Sequence, residues 1–130
     1  YLALGLAIAL LAVDGLVSFG TRKDYRHQGI AWMRANLPAH ARVFSNDRIL
    51  AWYSGGRFEW DEVMDAEKLI GARHAPVAGV AYWILHRDER NSALDAPLAT
   101  YAPQLVPLAR FDSGRDDRIE VYRVAPGAAP

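Results

Sequence analysis

Val77–His86 reads VAGVAYWILH, the most apolar run after the first twenty residues. It is short, rich in β-branched and aromatic side chains, and Pro76 introduces it. Those features predict a central strand, and a strand covered on both faces need not alternate apolar with polar residues. Upstream, Asp61 and Glu62 open a helix whose inward face is Val63, Ala66 and Ile70, and Gly71 stops it; acids suit the positive end of a helix. Arg57–Trp60 reads as a short strand before it. Earlier still, Asp47–Ser54 is a short helix with Ile49, Leu50 and Tyr53 inward, ended by Gly55-Gly56. Ala41–Ser45 is a buried first strand. Asp24–Leu37 carries Tyr25, Gly29, Trp32, Met33 and Leu37 on one helical face, and Pro38 marks its end.

Downstream of the central run, Asp88–Tyr101 has a weaker helical pattern, with Pro97 as a place to split it. Leu105–Phe111 and Arg118–Val124 are strands joined by the turn-rich connector Asp112–Asp117, which predicts an antiparallel hairpin. Pro107 marks its strand as an edge or a bulge. Strands alternating with helices predict an α/β fold, with a mostly parallel sheet, flanking helices and a last strand running antiparallel at one edge.

The start of the chain is of a different kind. In Tyr1–Gly20 (YLALGLAIALLAVDGLVSFG) only Asp14 is charged. At ~1.5 Å of rise per residue, about twenty residues cross roughly 30 Å of hydrocarbon. The segment is apolar on nearly every side, unlike the striped surface helix of a water-bathed domain. It has no basic start and no short apolar core, as a secretory signal would. The expected organisation is therefore a transmembrane helix over 1–20, a soluble α/β domain over 21–125 and a disordered tail over 126–130. The chain opens on Tyr, not Met, and is expected to be the last span and tail of something longer. Asp14 fits an interfacial position or a buried polar contact with a neighbouring helix.

The 130 residues carry 15 basic and 15 acidic side chains. That balance argues against a nucleic-acid partner, which selects a concentrated basic face. The absence of Cys removes disulfides, thiol catalysis and Cys-rich zinc sites together. No cofactor and no metal site is expected, since His27, His40, His74 and His86 show no ligand spacing. His86-Arg87-Asp88 lacks the Asn that a kinase catalytic loop places five residues after its Asp. Asp112–Asp117 lacks the spacing and terminal Glu of a calcium loop. No G-x-S-x-G elbow is present.

Ligands of parallel α/β sheets collect at the carboxyl ends of the strands. Two segments fall there. Ser45-Asn46-Asp47 can offer backbone N–H groups and side-chain oxygens to a phosphate or a sugar hydroxyl, or simply cap the next helix. His86 can act as a general acid or base and Arg87 as an anion clamp, or both can close a solvated strand end. Trp52 falls off the inward face of its helix and is the best candidate for a sugar-stacking platform, although aromatic residues at such spacings are usually core. No residue is singled out as catalytic.

The stretches Ala31-Trp32-Met33-Arg34-Ala35-Asn36-Leu37-Pro38, Ala41-Arg42-Val43-Phe44-Ser45-Asn46-Asp47 and Trp52-Tyr53-Ser54-Gly55, with Phe111 and Ile119-Glu120-Val121-Tyr122-Arg123-Val124 near the end, form a pattern that resembles a family. It is similar to the soluble tail domain of bacterial polytopic glycosyltransferases of the GT-C class, the dolichyl-phosphate mannosyltransferase-like membrane proteins. The resemblance implies a periplasmic domain on a bacterial inner-membrane enzyme that transfers sugar from a polyprenyl-phosphate donor. Its partners would be the lipid bilayer, the rest of the parent protein, and the donor or its acceptor. The catalytic carboxylates of that class lie between early transmembrane helices, so the resemblance carries no catalytic residue onto this chain. Arg22, Lys23 and Arg26 depart from the picture, because basic residues beside a span favour the cytoplasmic side. Two other classes remain open: a membrane-tethered α/β binding module, and a small α/β enzyme using His86 or Asp88.

Overall fold

A computed structural model of the chain describes residues 24–126. The expected transmembrane helix over 1–20 lies outside them, as does nearly all of the expected tail over 126–130. No helix among the described residues is long and apolar enough to cross a membrane.

The first helix, α1, spans residues 24–36. Tyr25 and Met33 are buried on its inner face, and Leu37 follows at its end. Gly29 is the point of closest approach: a Cβ there would meet Ile119 at 3.2 Å and Phe111 at 3.4 Å. Strand β1 (Val43–Ser45) is fully buried, and α2 (Arg48–Tyr53) leaves it through an Asp47 N-cap. Leu50 and Ala51 face inward, whereas Ile49 and Tyr53, expected inside, are about half exposed. The buried face is set by Leu50, Ala51 and Ser54, one residue on from the expected one, and this turns Ile49 and Tyr53 outward.

The expected strand at Arg57–Trp60 does not form. Arg57 makes a single parallel bridge with Arg42, and Trp60 already opens the helix α3 (Trp60–Met64). The helix expected over the next ten residues is broken at Asp65, whose backbone leaves the helical region, and resumes as α4 (Ala66–Gly71). The central strand is shorter than its apolar run. Residues 77–81 form a turn closed by Val80 N–H on Val77 C=O at 3.2 Å, with Gly79 at φ 75°. Strand β2 is therefore Tyr82–Arg87. A 3₁₀ segment, Glu89–Leu94, and helix α5 (Asp95–Tyr101) replace the single helix expected next. The break precedes Pro97, which sits in the first turn of α5 where its missing N–H costs nothing. Strands β3 (Leu105–Asp112) and β4 (Arg118–Val124) form the expected antiparallel hairpin, with a register shift beside Pro107.

The four strands lie in the order β1-β2-β4-β3. Only β1 and β2 run parallel, so the sheet is mixed and not mostly parallel. The last strand is not at the edge. β4 inserts between β2 and β3, because its Ile119 and Val121 are apolar and fully buried while β3 carries Pro107 and a half-exposed face. Helices cover both faces. Met33, Leu50, Ile84, Ile119 and Val121 pack between the sheet and α1 with α2. Phe44, Ile70, Trp83, Leu85, Leu94 and Tyr101 pack on the other side with α4 and α5. Trp83 is completely buried with its ring 4.9 Å from those of Phe44 and Tyr101, and its indole N–H donates to Pro76 C=O at 2.9 Å.

Candidate functional site

The residues that the sequence placed at strand ends come together at the carboxyl ends of β1 and β2. Asn46 follows β1 and uses its side chain as a substitute strand. Its Nδ2 donates to His86 C=O and its Oδ1 accepts from His86 N–H, both at 2.8 Å. Asn91, from the 3₁₀ segment, donates to the same carbonyl at 2.9 Å. The backbone of His86 is thus held from two sides by amides. Asp47 accepts from the N–H groups of Ile49 and Leu50 through Oδ1, which caps α2. Its Oδ2 pairs with Arg26 of α1 at 3.1 Å and faces His86 Nδ1 at 3.7 Å.

Helix α1 completes this group. The Tyr25 hydroxyl and His86 Nε2 share a hydrogen bond at 3.3 Å. Burial works against the charge of Arg26, but the carboxylate of Asp47, with Tyr25 beside it, raises its pKa above the ordinary arginine value. Asp88 carries a capping box: its carboxylate accepts from Arg90 and Asn91 N–H, and Asn91 Oδ1 accepts from Asp88 N–H. Partial burial pushes the Asp88 pKa up. The Arg90 guanidinium and the two backbone N–H groups outweigh that and hold it below the usual carboxylate value. A polar cleft of about 330 Å³ lies here, walled by Asn46, Glu67, His86, Asp88, Arg90 and Asn91.

Ser45 is fully buried and its Oγ is engaged in a local turn with the backbone of Asp47, so it offers no nucleophile to His86. Trp52 stands apart from the cleft and is 64% exposed. With Ile49, Tyr53, Trp60 and Met64 it belongs to an exposed apolar set on α2 and α3. Arg87 is adjacent to His86 in sequence but points to the opposite face of the sheet, as strand alternation requires. The sequence reading missed Tyr25, Arg26 and Asn91. Asn91 had a local signal, Asp three residues before it at the start of a helical segment; the contacts of Tyr25 and Arg26 are long-range and had none.

Among the described residues, His86, Asp88 and Asp117 place one potential ligand atom each within 4.8 Å of one another. Both carboxylate oxygens of Asp88 already accept hydrogen bonds, and both ring nitrogens of His86 face Tyr25 or Asp47. An ion would have to displace those partners, so the group reads as a charge-compensated strand end. No protein-family model, curated protein or solved structure matches the chain.

Proposed function

We propose that the chain is the membrane-proximal accessory part of an integral-membrane glycosyltransferase using a polyprenyl-phosphate sugar donor, and that residues 24–124 perform no catalysis alone. One observation carries the reading. The first turn of α1 holds the polar strand ends directly, through Tyr25 on His86 and Arg26 on Asp47. The carboxyl ends of β1 and β2 therefore lie beside the first described turn of the chain. If the apolar opening segment spans the bacterial inner membrane, the cleft of Asn46, His86 and Asp88 faces the bilayer surface and the donor or acceptor moving along it, on the periplasmic side. The sequence resemblance of Ala31–Pro38, Ala41–Asp47 and Trp52–Gly55 to glycosyltransferase tails supports the same reading. The Ser45 hydroxyl is buried and engaged with the Asp47 backbone, which favours positioning over Ser–His chemistry.

A second reading, a tethered interaction module unrelated to glycosyl transfer, is favoured by the exposed Trp52, Trp60 and Met64 on α2 and α3, since exposed large apolar groups suit packing against another surface. Two measurements on the complete parent protein decide between them. Carbonate washing of membranes should leave it in the pellet; release into the supernatant would end both tethered readings. The substitution Asn46→Ala together with His86→Ala should lower sugar transfer at unchanged protein level. Full activity would remove the accessory role and leave the module.

A further inference from the structure

We propose that the cavity walled by Arg87, Arg115 and Arg118, between the end of β2 and the β3–β4 hairpin, binds a phosphate-type oxyanion. It measures about 320 Å³, room for a phosphate ester of a small organic group. The argument begins with Arg87. Its side chain is only 3% exposed, and one nitrogen, Nη2, is paired with Asp95. Nε and Nη1 are buried and have no partner. A guanidinium does not shed its charge in a protein, and a buried donor left unmade is costly. The N–H bonds of Nε and Nη1 open on different edges of the guanidinium plane. A planar carboxylate engages one edge; a tetrahedral oxyanion has oxygens to spare for a second edge and for neighbouring arginines.

Acidic groups stand on the same walls, and their engagements matter. Asp95 is taken by Arg87, Asp112 by Arg110 at 3.0 Å, and Asp88 by Arg90 at 2.8 Å. The neighbouring Asp116 carboxylate works against the charge of Glu89 and raises its pKa above the ordinary value. The cations are less completely engaged. Arg118 gives Nε to Glu120 at 2.6 Å. The Arg115 side chain makes no hydrogen bond or ion pair among the described residues. Arg87, Arg115 and Arg118 thus line one cavity with donors that its carboxylates leave unmet. Asp95, which is 67% exposed, can swing into solvent when an anion enters.

The oxyanion has two sources, a free phosphomonoester or the phosphate of a lipid headgroup. The site does not depend on the membrane reading above, because one arm of its test uses a water-soluble probe. The full chain, held in neutral detergent, is titrated calorimetrically with glycerol 3-phosphate. It is separately floated with phosphatidylcholine vesicles with and without phosphatidic acid. Arg115→Ala should weaken binding about tenfold. Arg87→Met should abolish it while keeping the far-ultraviolet dichroism of the parent, since Asp95, the partner left behind, is 67% exposed and stays solvated. Saturable glycerol 3-phosphate binding, weakened by Arg115→Ala and abolished by Arg87→Met, supports a free ester. Binding confined to phosphatidic acid vesicles, with the same response to the two substitutions, supports a lipid headgroup. No saturable binding to either probe, or binding that ignores both substitutions, overturns the proposal.

Discussion

His86 and Arg87 are neighbours on β2, yet they end the two faces of the sheet in opposite ways. On the α1 side, the backbone and side chain of His86 meet Asn46, Asn91, Tyr25 and Asp47, and its surroundings are nearly saturated with partners. On the α5 side, Arg87 is more deeply buried and keeps two nitrogens unpartnered beside a cavity. Below them both faces are alike, an apolar core closed by helices. Position along a strand therefore does not tell whether a polar terminus is structural or available; the completeness of its hydrogen bonding does. The saturated face has its partners in place, and the unsaturated face is where a ligand has something to gain.

The contrast can be broken in graded steps. The largest effect belongs to the core beneath Arg87. Trp83→Ala should cost roughly 3–5 kcal/mol in chemical unfolding, as large core truncations do; a change within about 0.5 kcal/mol would mean that this face packs loosely. A smaller effect belongs to the saturated face. Asn46→Ala removes the acceptor of the His86 N–H and should cost about 1–3 kcal/mol, the cost of a buried unmade hydrogen bond. If the variant is as stable as the parent, water replaces the amide and the face is less rigid than described. The smallest effect is acid sensitivity. The folded pKa of Asp88 lies below its ordinary value of 3.8, so its contribution is present above that pH and fades as pH falls through the folded value. Urea midpoints followed from neutral pH to below pH 3 should fall less steeply in Asp88→Asn; identical slopes would assign the acid sensitivity to other carboxylates.

Local signals in the sequence described local structure well. The periodicity of Tyr25, Met33 and Leu37, the turn residues of Asp112–Asp117 and the awkward Pro107 each specify a conformation within a few residues, and the structure follows them. Strand order is another matter. Nothing near Ile119 says that β4 pairs with β2, because that choice is made by burial across the whole sheet. The run Val77–His86 also concealed its own alternation. When both faces are apolar, nothing marks which residue points where, so His86 and Arg87 read as one site although they belong to two. Gly79 carried the information that the strand begins late, through a positive φ that no pattern of hydrophobicity records. At the site, grouping Ser45, Asn46, Asp47 and His86 by their strand ends was sound. Tyr25 and Arg26 escaped notice because a helix reaching a loop twenty or sixty residues away leaves no local trace.

The single bridge between Arg42 and Arg57 is slight as secondary structure, but it occupies the outer rim of β1, where Val43 N–H and Arg57 N–H both find carbonyls at 2.8 Å. The opposite rim is β3, blunted by a proline and a shifted register. Sheets that leave their outermost strands bare recruit further copies and polymerise. Here both flanks are guarded, so the domain can be crowded at high local density without stitching itself to its neighbours through backbone pairing.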